Sequence, residues 1–119
     1  MVLQLGRRLA TLQSAAAATG DGTAMDVKGL VEVAMQVLIS NTATVTFEGT
    51  IDGTNWVAVQ AKNIGTGAAA STLAASGIVV MPVGGLSFVR ARISAFTSGT
   101  VTVYGAGLPV GAAGGLVTA

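Results

Sequence analysis

The sequence predicts an all-β protein, an antiparallel β-sandwich of jelly-roll-like kind with six or seven strands. Three observations predict it. Apolar and polar residues alternate with period 2 along several stretches, as strands with one buried and one wet face require. Turn signals such as Asp52-Gly53, Gly84-Gly85 and Ser98-Gly99 separate those stretches at short intervals. Between them no stretch shows convincing helical periodicity, which favours a sandwich over an α/β fold.

Residues 1–18 admit two readings. Leu3, Leu5, Leu9 and Leu12 could line a short helix or an extended arm, and Arg7-Arg8 is the densest positive charge in the chain. The segment is either a first strand with a solvated edge or an arm reaching a neighbouring subunit. In the second case Leu3, Leu5, Arg7 and Arg8 are the candidate partner contacts. Its charges follow Leu3 and Leu5, and Gln13-Ser14 break the apolar run, so it reads as structure rather than as an export signal. Residues 19–107 are the expected sandwich domain.

Thr19 to Gly29 reads as a solvated loop from its Gly and Asp content. Asp21 and Asp26 lack the ligand spacing of a calcium-binding EF-hand. Leu30 to Ser40 alternates, with Val31, Val33, Met35, Val37 and Ile39 on one face and Glu32, Ala34, Gln36 and Leu38 on the other. Its β-branched content argues strand, although several residues are good helix formers.

Thr42 to Gln60 reads as a hairpin. Val45, Phe47, Gly49 and Ile51 share one face of the first strand, and Thr44, Thr46, Glu48 and Thr50 the other. Asp52-Gly53 supplies the turn, because a tight turn needs a residue that accepts positive φ. Trp56 opens a return strand running to Lys62. Asn63 to Ser76 is a long loop of small residues with a short strand near Thr72 to Ala74. Ile78 to Val83 is a compact strand ended by Pro82 and Gly84-Gly85.

Leu86 to Phe96 alternates again, with Leu86, Phe88, Arg90 and Arg92 on one side and Val89, Ala91 and Ile93 on the other. Two Arg at i and i+2 on one face are exposed or salt-bridged. Glu48, Glu32 and Asp52 are the candidate partners on neighbouring strands. Thr97-Ser98-Gly99 is a turn and Thr100 to Tyr104 a final strand. Gly105 onward is too rich in Gly and Ala to pack by itself, and residues 108–119 are an expected flexible tail.

Composition narrows function. A chain of 119 residues makes one domain with one modest core. It has no Cys and no His, which removes disulfides, thiol nucleophiles, Cys or His metal sites and the commonest general base. The net charge is +1 and no basic run exceeds Arg7-Arg8, so nucleic acid is not an expected partner. No apolar run approaches the ~20 residues of a membrane-spanning helix, and no membrane partner is expected.

Charged residues make up 9% of the chain, apolar residues 51%, and mean hydropathy is +0.72. An ordinary domain carries about 25% charged residues. Abundant Ala and Gly (17 Gly) raise the apolar share without making a sticky surface. The expectation is nonetheless burial of apolar surface in a permanent assembly.

Candidate chemistry is sparse. Glu48 and Asp52 share a strand parity, but paired acids on a strand without a cleft are ordinarily solvated surface. Ser and Thr are abundant but have no His or adjacent Lys to activate them. Gly65-Thr66-Gly67 lacks the Lys and following helix of a phosphate loop. Trp56 could stack on a sugar ring, but with five aromatic residues in the chain it is expected in the core, anchoring the hairpin. Truncating such a buried aromatic costs about 3–5 kcal/mol.

Two segments together resemble a known group. Phe47 to Trp56, FEGTIDGTNW, is similar to an F-E-G-S/T-x-D-G-x-x-W pattern. Arg90 to Val103, RARISAFTSGTVTV, is similar to an R-x-R-x-S-x-x-x-S-G-T-V-T-V strand pair. The combination resembles small β-sandwich structural proteins of tailed bacteriophages, over roughly Ala43 to Tyr104. The first pattern also occurs in carbohydrate-binding jelly rolls, which usually have more aromatics and metal-binding acids.

The resemblance implies a virion component, and the sparse chemistry adds the expectation of no enzymatic activity and no cofactor. It would be most naturally a capsid decoration (cement) protein, with a tail or head-fibre protein or a carbohydrate-binding module as alternatives. It implies a homo-oligomer, often a trimer, contacting the major capsid protein or another virion protein, assembled in the host cytoplasm and located in the virion.

Overall fold

The computed structural model describes residues 7–109. They fold into two stacked antiparallel sheets, and no helix is present among them. None of the described residues therefore forms a helix able to cross a membrane.

The larger sheet has six strands. In spatial order they are β1 (Arg8–Ala16), β11 (Val101–Pro109), β3 (Leu30–Ile39), β9 (Gly77–Pro82), β6 (Ala61–Asn63) and β7 (Ala69–Ala70). The smaller sheet runs β2 (Met25–Asp26), β10 (Phe88–Ser98), β4 (Thr42–Thr50) and β5 (Val57–Ala58), with β8 (Thr72–Leu73) also paired to β4. Six strands are long and the other five are two or three residues each, which is why the sequence shows only six or seven.

The apolar faces of the alternating strands turn inward as the sequence expects, but the polar face of β4 is not wet, since Thr46, Glu48 and Thr50 are buried too. Val33, Met35 and Val37 of β3, Val45 and Phe47 of β4, and Val89, Ala91 and Ile93 of β10 are buried between the sheets. Val79, Met81, Val101 and Val103 complete the same core. Each of these side chains is worth about 1.5–3 kcal/mol when a Val- to Phe-sized group leaves water.

Of the two readings of the first segment, residues 8–16 take the strand, paired with β11 from Arg8↔Gly107 to Ala16↔Val101, and the sandwich therefore begins before residue 19. The strand is bulged, so Leu12 and Gln13 both turn inward. The Gln13 amide donates to Ala91 O at 2.8 Å and Gly20 O at 3.2 Å, tying this strand to the opposite sheet. Other expectations are corrected. The Thr19–Gly29 segment is not wholly solvated. Met25 and Val27 enter the core, and Gly20 exchanges two backbone hydrogen bonds with Ile93.

The strand after Trp56 is divided. Val57 and Ala58 pair with β4, while Ala61 to Asn63 cross to the other sheet beside β9. Ile51 lies beyond the end of β4 and is 71% exposed. Leu86 precedes β10 and packs toward the core against Gly49, whose missing side chain leaves room for it.

Gly105 to Pro109 continue β11 through the middle of the larger sheet instead of beginning a tail. Gly105 and Gly107 keep the inward parity of Val101 and Val103, and the space their side chains would fill is taken by Leu12, Met25 and Leu30. The expected tail beyond 109 lies outside the described residues.

Candidate functional site

Candidate site residues gather on the outer face of the smaller sheet. The register of β4 and β10 sets Glu48 directly opposite Arg90 and Thr46 opposite Arg92. Because all four have even parity, their side chains leave on the face away from the core. The Arg90 Nε–H donates to Glu48 Oε1 at 2.8 Å, and the Arg92 Nε–H to Glu48 Oε2 at 3.1 Å. One carboxylate thus engages two guanidiniums. Arg90 also reaches Asp21 Oδ2 at 3.4 Å. Beside them the Thr46 hydroxyl donates to Ser94 Oγ at 2.7 Å.

Trp56 covers the Arg90 end of this network. Its ring lies 4.1 Å from the Arg90 guanidinium carbon. Since β4 separates β5 from β10, the indole must reach across β4 to make that contact. The Glu48 side chain is left 11% exposed and Arg90 17%. Trp56 is therefore not a core residue: it is half-buried on the outer face, and one of its faces is occupied by a cation. The turn carries it past the end of the core, so its bulk shields the charges instead.

The hairpin turn is built around Asp52. Its Oδ1 accepts from the backbone N–H of Thr54 and Asn55, both at 2.8 Å, and from the Thr50 hydroxyl at 3.0 Å. Its Oδ2 accepts from the Asn55 amide at 2.7 Å. These donors, the Asn55 backbone N–H first, hold the Asp52 carboxyl well below the usual range. Gly53 supplies φ +79°. Asp52 is thus committed to the turn and takes no part in the arginine network; Glu32, on the other sheet, takes none either. Beside the turn, Gly49, Ile51, Val57, Val59 and Leu86 line an open apolar cleft of about 460 Å³.

The expected partner contacts separate. Leu3 and Leu5 lie outside the described residues. Arg7 is exposed. Arg8 donates to Asp26 O at 2.9 Å and Lys28 O at 3.3 Å, so it secures its own chain's β2 loop. The Lys28 backbone N–H, then the Lys28 ammonium, hold the Asp26 carboxyl below its usual value. Sequence reasoning missed Asp21, whose place beside Arg90 depends on the Gly20–Ile93 pairing, and no local pattern signals that contact. Among the described residues no group of three metal-ligating side chains converges.

The chemistry of this face is charge neutralisation. Glu48, Asp21, Arg90 and Arg92 satisfy one another, and every buried side-chain nitrogen or oxygen among the described residues has a hydrogen-bond partner. The XepA family matches residues 8–107, the span from the first strand to the inward glycines of the last.

The chain belongs to the XepA family. Its fold is that of two solved structures. The SPBc2 prophage-derived protein YomS matches with a TM-score of 0.79 and 19% identity, covering 90% of this chain and 97% of that one. The PBSX exported protein XepA matches with a TM-score of 0.78 and 18% identity, covering 85% of this chain but 38% of that chain. This XepA-family chain thus spans about two-fifths of XepA itself and nearly the whole of YomS. No curated protein sequence is significantly similar to it.

Proposed function

We propose that this protein is a non-enzymatic structural protein of a phage particle, working as a capsid decoration protein that stabilises the head through subunit contacts. The observation that carries the phage assignment is the pairing of XepA-family membership with a full-length likeness to a prophage-derived protein. The structural role is supported by the site chemistry. The charged groups on the smaller sheet are consumed by one another, and Asp52 is consumed by its turn. The low charge of the chain favours burial against copies of itself and against the shell. Apolar area so buried is worth about 25 cal/mol per Å², less the cost of ordering.

The test is quantitative mass spectrometry of particles purified from a lysate of the phage that encodes the protein. The reading expects the protein at a fixed ratio to the major capsid protein, retained through a density gradient. Its absence from intact heads would overturn the decoration role.

A second reading has one specific support, the description of XepA as an exported protein. In that case the protein leaves the host without joining a particle. The same fractionation separates the two, because an exported protein is recovered from the medium before lysis and not from particles.

A further inference from the structure

We propose that Asp21-Gly22 is a site of spontaneous covalent modification, where the chain rearranges to isoaspartate as the folded protein ages, and that the fold withholds the same change from Asp52-Gly53. The site goes beyond the proposed function and does not depend on it.

The tripeptide Asp-Gly-Thr occurs twice, at Asp21 to Thr23 and at Asp52 to Thr54. An Asp-Gly step is prone to this rearrangement, because glycine has no side chain to shield its nitrogen or restrict its backbone. Both Asp residues are exposed, so water reaches each of them. The attacking residue and the one after it are the same in the two places. Any large difference in rate must therefore come from the fold.

The reaction has two steps. First the Gly nitrogen attacks the Asp Cγ. A C–N bond forms, the protonated carboxyl gives up its OH and the amide its proton, and the two leave as one water, closing a five-membered succinimide. Then a water opens the ring at the Asp main-chain carbonyl carbon. The bond from that carbon to the Gly nitrogen breaks, and the nitrogen takes back a proton. The main chain now runs through Cβ and Cγ, and the carboxylate sits directly on Cα. One water is lost and one regained, so the mass is unchanged and no oxidant or cofactor is required.

Each requirement of the first step is blocked at Asp52. Its Cγ must swing toward the Gly53 nitrogen, yet Oδ1 is held by the N–H groups of Thr54 and Asn55 and by the Thr50 hydroxyl, and Oδ2 by the Asn55 amide. The nitrogen must shed its proton, yet the Gly53 N–H donates to Thr50 Oγ1 at 3.0 Å. The carboxyl must be protonated, yet the same donors hold it well below the usual carboxylate range. The buried Thr50 hydroxyl thus restrains both reacting groups at once.

Asp21 has no such cage. Among the described residues its carboxylate has one ionic partner, the Arg90 guanidinium at 3.4 Å, and its side chain is 60% exposed. Gly20 is bonded to Ile93, and the Thr23 N–H donates to Leu12 O at 2.9 Å. Those bonds hold the chain on either side of the step. Among the described residues no hydrogen bond engages the Gly22 N–H itself. Rearrangement would draw the shortened carboxylate back from Arg90. It would also lengthen the main chain between the Gly20 and Thr23 anchors, loosening the loop that lies along the edge of β10.

The experiment holds the full chain folded at neutral pH for weeks and then digests it with trypsin. Cleavage after Arg8, Lys28 and Lys62 puts the two steps in separate peptides. Isoaspartate keeps the mass of aspartate but changes the elution time and the electron-transfer fragments. Formation at Asp21 is expected to be at least about fivefold faster than at Asp52, the factor that opening a single hydrogen bond supplies. In guanidinium chloride the two rates should converge. Asp21→Glu should remove the signal from its peptide. Thr50→Val should speed the change at Asp52 and leave the rate at Asp21 as it was.

Equal rates in the folded chain, or a faster change at Asp52, overturn the proposal. So does a difference that persists in guanidinium chloride, since it would then belong to the sequence, or a Thr50→Val chain that protects Asp52 as well as the wild type does. If circular dichroism shows that Thr50→Val does not fold, Asn55→Ala, on an exposed side chain, takes its place with the same expectation.

Discussion

Glu48 faces two guanidiniums at once: its Oε1 takes the Nε–H of Arg90, directly opposite in register, and its Oε2 takes that of Arg92, two residues further along the same strand. Removing the carboxylate leaves two like charges side by side, with Arg90, beneath Trp56, keeping Asp21 as its remaining partner. Breaking a buried pair costs about 3–5 kcal/mol, and less here because Arg92 keeps some solvent. Glu48→Ala is expected to lower unfolding stability by about 2–4 kcal/mol. The Arg92→Ala change in that background should then cost much less than it does alone. A double-mutant cycle in urea checks this, and additive losses would show that the pairing contributes nothing.

Trp56 stacks on Arg90 and stands outside the core. A partly desolvated cation–π contact is worth about 1–2 kcal/mol, well short of the ~3–5 for a buried aromatic. Trp56→Ala should therefore destabilise the fold by about 1–2 kcal/mol. Its effect should shrink in an Arg90→Ala background. A single-variant loss of core size in a denaturant titration would place the indole in the interior after all.

Asp52 is held ionised by the donors of its own turn. Its folded pKa lies below its unfolded one, so the stability it adds is present at neutral pH. That contribution is lost as pH falls below the unfolded value of about 4 toward the folded value. The melting temperature of the wild type should exceed that of Asp52→Ala at pH 7, and the gap should narrow steadily below pH ~4. A gap independent of pH would mean the carboxylate's charge is irrelevant to the turn.

Gly99 has φ +90°, and a Cβ there would sit 2.6 Å from Ser40 Oγ and 2.9 Å from the Asn41 backbone nitrogen. Gly53, at φ +79°, has open space around it. Both Ala substitutions pay the backbone strain of about 1 kcal/mol, and Gly99→Ala should add a further ~1–3 for the crowding. Equal losses in thermal unfolding would refute the steric account.

Much of the fold is legible because β3, β4 and β10 each alternate apolar with polar residues, which writes period 2 into the sequence even where the polar side of β4 is itself covered. The pairing of Arg90 and Arg92 with Glu48 is legible for the same reason, since i and i+2 on a strand share a side. What stays hidden depends on distant partners. Nothing in Trp56 to Lys62 marks the point near Gln60 where the chain changes sheets. Met25 and Val27 enter the core from a stretch whose Gly and Asp content, Asp26 between them included, reads as a solvated loop. Gly105 and Gly107 resemble a tail because the side chains that fill their places belong to Leu12, Met25 and Leu30. Trp56 is misplaced by residue type alone, because an aromatic just after a tight turn can lie over either side of the sheet.

The last described strand occupies an inner position, flanked by β1 from the start of the chain and by β3. During synthesis both of those strands must wait, each with an unpaired edge, until Val101 to Pro109 have emerged from the ribosome. Closing a sheet between strands so distant in sequence is slow and exposes sticky intermediates. Without Val101 to Pro109 two hydrogen-bonding edges would be stranded at once, so the sandwich becomes native only when its last strand is in place.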